Sequence, residues 1–439
     1  MAAVNPGVYK DILRVRAAYP FDIACLLMRF YGSMLNIGVV TMITLSGYSF
    51  FAAGLVSSTI ALSIFLVGPR VSKLIDRRGQ TAVVPWAAAV SLAGLAVLIG
   101  VVLVHGPVWP FFIGAVLVGF YPSPQAMART RWTYLIRSGR LGQHAPALRT
   151  MFSYESVMDD FGFIFSPSIS IALAAAIHPV AGMMAGGVGF ALGTIMLCAA
   201  RSTAPQPGWV DPESEEAEAG ALAEVEGAEL DRVGHHREAS LIRTSPVIRV
   251  LFVMYVFMGA FLGQLDTGTV SFAEDLHAPD IASLVLILQG VVSLVCGVVF
   301  GMVRLRQPLA KQLLVTASLA GLAFATMVFV NSVPSLVAMS LVGAVSYAPM
   351  LITSNTVCER AVPQRRLTEA ITWMNAGFTC GAAVGPSLAG AVIDTLGTTA
   401  CFVVGGVVAL GLTVTALVTY PVVKRHLSQG YTVVEKRSL

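Results

Sequence analysis

The positions of the 28 lysine and arginine residues constrain this chain more than any other feature of its sequence. These basic residues fall into seven groups: 10–29, 70–78, 129–149, 201–249, 304–311, 360–366 and 424–437. Six stretches without a basic residue separate them: 30–69, 79–128, 150–200, 250–303, 312–359 and 367–423. A membrane-spanning helix needs about 20 apolar residues, so each stretch has the length of two such helices and a short turn.

Composition and turn signals support the same interpretation. The chain is 56% hydrophobic and 12% charged, with a mean hydropathy of +0.77, which is typical of membrane proteins. Its apolar runs are continuous and do not alternate as barrel strands do. A turn signal lies inside each stretch, at 46–49, 105–110, 178–179, 274–280, 331–335 and 394–399. We therefore predict an all-α membrane protein with twelve transmembrane helices.

The basic groups also predict the orientation of these helices. Cytoplasmic loops carry the excess of Lys and Arg, so both termini and the loop at 201–249 are expected inside and the six turns outside. The net charge of +4 is small and gives no reason to invoke nucleic acid as a partner. The six cysteines form no CxxC pair, which argues against a metal site.

Two similar halves are predicted around a polar linker. The expected organisation is a six-helix bundle at 1–200, an acidic cytoplasmic linker at 201–248, a second bundle at 249–423 and a tail at 424–439. The halves can be aligned so that Pro167 meets Pro386 and Gly162 meets Gly381. Paired repeats of this kind suit alternating access, in which one repeat moves against the other around a central site.

The segment "GPRVSKLIDRRGQ" at 68–80 resembles the signature of the major facilitator superfamily between helices 2 and 3. The resemblance covers nearly all of the chain outside the linker and tails, and the overall pattern is similar to that of actinobacterial efflux-type members. It implies a fold of twelve helices in two pseudo-symmetric halves. It also implies a cytoplasmic latch at Ser72, Asp76, Arg77 and Gly79, where Ser72 stands in place of the usual glycine.

Two further elements look like the Gly-x-x-x-Gly-Pro bend of the family's drug antiporters. The better copy contains Gly381, Gly385 and Pro386, and a degraded copy contains Gly162, Ser166 and Pro167. Small residues at four-residue spacing let helices pack closely, and proline frees a carbonyl and favours a bend. Because helix 5 has Ser166 where the family has glycine, the implication of antiport and export is weaker.

Three carboxylates lie in the apolar fifth helix, at Glu155, Asp159 and Asp160. At about 1.5 Å per residue from a boundary near 150, Glu155 is roughly 8 Å deep and Asp159 roughly 14 Å deep. These two share a helix face, and two carboxylates in a poorly solvated place cannot both ionise cheaply. The pattern predicts a reversible proton carrier, with Asp160 as an orienting partner.

Arg129 in helix 4 lies at about the depth of Glu155 and is the predicted charge partner. Two interpretations stay open: Glu155 and Arg129 exchange partners while Asp159 carries a proton, or Arg129 and Glu155 form a fixed ion pair between helices 4 and 5. Asp266 in helix 7 is a candidate second proton or substrate group, unless it lies in water at the outer mouth. Several uncharged residues are candidates to line a cavity or to bond neighbouring helices. They are Tyr31, Asn36, Gln125, Gln264, Gln289, Trp373 and Asn375.

These observations predict a secondary transporter in a bacterial cytoplasmic membrane. The expected substrate is a small, amphipathic molecule, exported in exchange for protons by a monomer surrounded by the lipid bilayer. No phosphate loop, metal site or nucleophile with its base is found in the sequence, so neither an enzyme nor a bound cofactor is expected. The alternatives are a proton symporter or facilitator that imports a solute, and a receptor or assembly factor on the same scaffold.

Overall fold

The computed structural model describes residues 15–141, 148–209, 240–278, 280–302, 307–362 and 366–435. These residues form helices and turns, with no strand among them. The helices of the first part are α1 (Tyr19–Met34), α2 (Ile37–Thr44), α3 (Phe50–Arg78), α4 (Gln80–Leu103), α5 (Trp109–Val118), α6 (Pro124–Arg137), α7 (Leu148–Ala176) and α8 (Ala181–Ala199).

After the segment 210–239, which lies outside the described residues, further helices follow as far as Glu435. They are α9 (Leu241–Thr244), α10 (Pro246–Asp275), α11 (Asp280–Met302), α12 (Leu309–Ala325), α13 (Val333–Ala361), α14 (Leu367–Leu396) and α15 (Thr398–Glu435). All six predicted turns coincide with helix ends. Of the linker predicted at 201–248, residues 210–239 lie outside the described residues.

The described residues contain ten helices that are long and apolar enough to cross a membrane. The number is eleven if α1 and α2, which are bent by 52° relative to each other, form one span. The fourth predicted span falls on α5 and α6, which are interrupted between residues 119 and 123 and are 10 and 14 residues long. The chain is thus a multi-pass membrane protein, and the count of twelve stays a prediction.

Contacts divide the chain into two compact units. Unit 1 comprises Met1–Met42 and Ser63–Gly234, and unit 2 comprises Ile43–Leu62 and His235–Leu439. The unit boundary falls inside α3, so the beginning of this helix belongs to unit 2 and its end to unit 1.

Helix ends follow local chemistry. Gly79 separates α3 from α4 with a φ of 88°, a conformation that favours glycine because it has no Cβ. Ser245 caps α10 by accepting a hydrogen bond from the backbone N–H of Ile248 at 3.4 Å. Prolines at the first helical turn of α6 and α10 sit where their missing N–H costs nothing.

In unit 2, α10 and α14 pack with their backbones in contact. A Cβ at Gly381 or Gly385 would collide with the carbonyl oxygen of Val256 or Ala260 on α10. Gly259 faces α14 in the same way, against the carbonyl of Phe378. The four-residue spacing of small residues thus serves close helix packing. The structure keeps α14 helical through Pro386 and α7 helical through Pro167, so the predicted bends stay predictions.

Candidate functional site

A buried ion pair joins α1 and α7 in unit 1. The Arg29 guanidinium donates a hydrogen bond to Glu155, and their side chains are 2% and 1% exposed. The same guanidinium also reaches Asp159, with 3.1 Å between Nε and Oδ1. Glu155 and Asp159 lie on one face of α7, since residues four apart are neighbours on a helix surface. One arginine therefore contacts both predicted carboxylates.

A second arginine completes the cluster from α6. Arg129 donates from a terminal nitrogen to Asp159 Oδ2 at 2.9 Å, and these side chains are 40% and 25% exposed. The two oxygens of Asp159 thus face different cations on different helices. We call Arg29, Arg129, Glu155 and Asp159 the four-residue ion network; it carries two positive and two negative charges when all four groups are ionised.

The partner predicted for Glu155 was wrong. Glu155 bonds Arg29 of α1, whereas the predicted partner Arg129 bonds Asp159. Arg29 closes the first basic group of the sequence and was therefore assigned to the cytoplasmic boundary. It lies ten residues into α1, about 15 Å along the helix axis. Its isolation within the apolar run "CLLMRFYG" was the signal that would have revealed it.

The ion network has unused hydrogen-bonding capacity. Arg29 Nε and Asp159 Oδ1 are buried atoms that form an ion pair at 3.1 Å and have no hydrogen-bond partner. Gly162 lies beside this contact, and a Cβ there would be 3.6 Å from the Cβ of Arg29. One turn further, Ser166 donates to the Gly162 carbonyl. Asp159 is therefore hydrogen-bonded through Oδ2, whereas Oδ1 faces Arg29 as an ion pair and can accept a further donor.

Asp160 does not join the ion network. Its side chain is exposed, and it is turned about 100° from Asp159 around the axis of α7. A different acid, Asp22 of α1, lies near the network and accepts a hydrogen bond from the indole N–H of Trp132 at 2.9 Å. Trp132 is fully buried and meets the ring of Phe21 edge-on at 5.6 Å. This contact ties α6 to α1.

Arg131 lies in the interior of unit 1. The side chain is fully buried and donates to the carbonyls of Leu197 and Ala200 at the end of α8. It also donates to Gln80 at 2.7 Å and to Thr203 at 2.9 Å. The carbonyls at a helix C-terminus carry partial negative charge, which stabilises the guanidinium there. Arg131 is thus a structural tie between α6 and α8.

The remaining predicted residues of unit 1 lie in helix packing or at helix breaks. Tyr31 is fully buried and stacks on Phe190 at 4.6 Å, in a cluster that includes Tyr121, so the structure places it in the core rather than on a cavity. Asn36 lies at the break between α1 and α2. Gln125 is half-buried in the first turn of α6, 3.2 Å from the Ser123 hydroxyl.

The predicted residues of unit 2 do not form a cluster of their own. Asp266 is half-buried in α10, and Gln289 is half-buried in α11 with an unbonded Oε1. Gln264 is 1% exposed and donates to the Cys401 carbonyl at 3.4 Å, so it holds α10 to α15 rather than facing a cavity. Trp373 donates to the Ser240 hydroxyl at 3.2 Å, and Asn375 is exposed on α14.

The predicted latch residues lie in the last two turns of α3 and in the turn that follows it. Asp76 and Arg77 are exposed, Ser72 is half-buried, and Gly79 forms the turn. The start of the linker contacts this turn: the Gly208 N–H donates to the Asp76 carbonyl at 2.8 Å. The described residues contain no group of three or more His, Cys, Asp or Glu side chains that would hold a metal ion.

The chain resembles known proteins in its second half by sequence and over most of its length by structure. Residues 267–435 match the sequence model of the Major Facilitator Superfamily. No curated protein sequence matches the chain significantly. The peptide transporter POT in complex with alafosfalin has a TM-score of 0.67 at 15% identity, over 93% of this chain and 95% of that one.

Two other solved structures are similar to the same extent. The nucleoside transporter NupG has a TM-score of 0.66 at 14% identity, over 92% of this chain and 99% of that one. A bacterial homologue of the iron transporter ferroportin, in an inward-facing state, has a TM-score of 0.64 at 15% identity, over 91% of this chain and 99% of that one. At these identities the likeness shows the fold alone.

Proposed function

We propose that this chain, which has the major facilitator fold expected from its sequence, is a secondary active transporter that exchanges protons for a small, amphipathic molecule. In this proposal the monomer works in a bacterial cytoplasmic membrane, with both termini inside, and exports its substrate. The observation that carries the proposal is the position of Asp159 between two arginines of different helices, 3.1 Å from Arg29 and 2.9 Å from Arg129.

Protonation of Asp159 changes the charge balance of the ion network. With all four groups ionised the network is neutral, and a proton on Asp159 leaves one uncompensated positive charge. Arg129 is the group that can respond, because it is 40% exposed and Asp159 is its ion-pair partner in the structure. Release of Arg129 loosens the tie between α6 and α7. Uptake and loss of one proton is thereby linked to helix packing in unit 1.

The Arg29–Glu155 ion pair stays in place while the Arg129–Asp159 ion pair forms and breaks. Both side chains are almost fully buried, and removing one charge of such a pair leaves the other uncompensated. The pair therefore stays together while Asp159 gains or loses its partner. In this proposal the fixed ion pair is Arg29–Glu155, in place of the Arg129–Glu155 pair that the sequence suggested, and the exchanging pair is Arg129–Asp159.

Alternating access requires movements away from the network, which we assign to the sequence elements described above. We propose that Asp76, Arg77 and Gly79 latch one access state, with Ser72 allowing close helix approach. The helices that contain Pro167 and Pro386 supply flexible points. Asp266 is a second candidate group for a proton or substrate in unit 2.

Proteoliposomes with an imposed pH gradient test the proposal. The purified full chain is reconstituted with a trapped pH-sensitive dye, and a panel of fluorescent amphipathic dyes serves as transport probes. We expect probe movement in the direction opposite to proton movement. In Asp159→Asn the gradient should no longer drive the probe, whereas Glu359→Gln, which removes an exposed carboxylate of α13, should behave as the wild type.

The same experiment distinguishes import from export. A proton symporter that imports a solute, the alternative that the sequence leaves open, is the second candidate. Movement of protons and probe in the same direction would establish symport and overturn exchange. Gradient-driven transport at the wild-type rate in Asp159→Asn would refute the role of Asp159. If no probe crosses in either protein, export of amphipathic molecules is refuted.

A further inference from the structure

The beginning of α3 packs on α14 within unit 2. Residues 50–62 of α3 belong to this unit, although the rest of the helix belongs to unit 1. A Cβ at Gly54 would collide with the Pro386 carbonyl, and one at Gly390 would collide with the Phe50 carbonyl. The two backbones are therefore in direct contact.

Small polar side chains continue this contact. The hydroxyls of Ser58 and Ser387 are 2.5 Å apart, and Ser58 also bonds the Ala383 carbonyl. We call the contact made by Gly54, Ser58, Ala383, Ser387 and Gly390 the α3–α14 seam. Its members are glycine, alanine and serine, which have no bulky side chain to interlock across the contact. Such a contact can close tightly and separate without repacking of large side chains.

Asp394 of α14 bonds the first residues of α3 at one end of the seam. Its Oδ1 accepts the backbone N–H of Phe50 at 3.1 Å, and its Oδ2 accepts that of Phe51 at 2.8 Å. These are the first two residues of α3, whose N–H groups have no partner within their own helix. A carboxylate at a helix N-terminus is also favoured by the helix dipole. Asp394 therefore caps a helix to which it does not belong.

The position of Asp394 in its own helix is unfavourable. It lies in the last turn of α14, which ends at Leu396, where the helix dipole disfavours negative charge. The side chain is exposed, so the bonds to Phe50 and Phe51 can exchange with water. Asp394 thus gains its stabilisation only when α3 is docked, which is the property of a latch.

A second tie holds the segment that leads into α3. The Thr44 hydroxyl is 2.6 Å from a carboxylate oxygen of Glu274 at the end of α10, in the same unit. Both ties lie next to turns that the basic residues place on the external side, at 46–49, 274–280 and 394–399.

We propose that Asp394 is a reversible latch that holds the first half of α3 closed on α14 at the external side and releases it during the transport cycle. This inference rests on the proposed transport function. It adds a residue pair, Asp394 with the start of α3, that the sequence did not indicate.

Disulfide cross-linking measures the latch without any substrate. Cysteines replace Ser58 and Ser387 in a full-length background in which the six native cysteines are alanine, and the rate of oxidative cross-linking is measured in lipid. The close hydroxyls predict rapid cross-linking. Loss of a capping charge should raise the open-to-closed ratio about 5-fold, so Asp394→Asn should slow cross-linking, by up to about that factor. Asp280→Asn removes another exposed acid and should leave the rate unchanged.

A second measurement covers the case in which Asp394→Asn folds poorly. Gly390→Ala should force the seam apart, and a single cysteine at position 387 should then react faster with a membrane-impermeant maleimide. Unchanged cross-linking in a folded Asp394→Asn protein would overturn the latch, and unchanged labelling in Gly390→Ala would overturn the close seam on which the latch rests. If the latch responds as expected but no probe crosses the proteoliposome membrane, the latch stands and the proposed function fails.

Discussion

Arg29→Leu is the substitution for which the structure predicts the largest loss of stability in the ion network. It leaves Glu155, which is 1% exposed, without its arginine, whereas Asp159 keeps Arg129. Breaking one partner of a buried ion pair costs about 3–5 kcal/mol. Because both side chains are buried, solvent screening does not reduce this value as it does for surface pairs.

The double variant Arg29→Leu/Glu155→Leu separates the ion pair from the packing of its side chains. Replacement of a whole buried pair by apolar residues is close to neutral, so the double variant should unfold within about 1 kcal/mol of the wild type. The loss in Arg29→Leu should also shrink in acid, because a protonated Glu155 carries no charge to compensate. Arg129→Leu should cost less than about 1 kcal/mol, since Arg129 is 40% exposed.

Titration with denaturing detergent in mixed micelles, followed by tryptophan fluorescence, gives these unfolding free energies. A loss of less than about 1 kcal/mol in Arg29→Leu, or a double variant no more stable than Arg29→Leu, would contradict the assigned role of the ion pair. Both outcomes would mean that the buried pair is not the main tie between α1 and α7.

Two further predictions concern unit 2. Gly385→Val should reduce the yield of folded protein in gel filtration, because a Cβ at Gly385 collides with the Ala260 carbonyl, whereas Gly68→Ala meets open space and should be silent. Glu369→Gln should speed trypsin cleavage at Arg243, because Glu369 accepts from the Leu241 N–H at 2.8 Å and the Ser240 hydroxyl at 3.0 Å. If Gly385→Val leaves the folded yield unchanged, the backbone of α10 does not exclude a side chain at that position. If Glu369→Gln leaves the cleavage rate unchanged, Glu369 does not hold the segment at Ser240 and Leu241.

Charge positions and turn signals were sufficient to predict the class of fold. The predicted all-α membrane fold is confirmed, because helix length and hydropathy are properties that a sequence displays directly. The resemblance to the major facilitator superfamily rested on the segment 68–80, and the match of residues 267–435 to that family's sequence model supports it. The sequence also drew attention to Glu155 and Asp159, since charges are rare in apolar helices. These features need no knowledge of which helices touch.

The partners of those charges could not be predicted. Depth along the membrane matched Glu155 with Arg129, but depth leaves open which helix faces which. Arg29 was counted with the cytoplasmic basic group, although three-dimensional packing places it against α7. The cap at Phe50 and Phe51 was invisible for the same reason: Asp394 is more than 340 residues away in sequence. Contacts between helices that are distant in sequence depend on how the helices pack in three dimensions, and a single sequence does not show which residues will face each other.

Infrared difference spectroscopy of the protein in lipid tests the central claim most directly, because it detects protonated carboxyl groups. A pH titration should show a carboxyl band that is lost in Asp159→Asn and retained in Glu155→Gln, because Asp159 carries the exchanging proton and Glu155 stays paired with Arg29. A band that survives in Asp159→Asn and disappears in Glu155→Gln would contradict it.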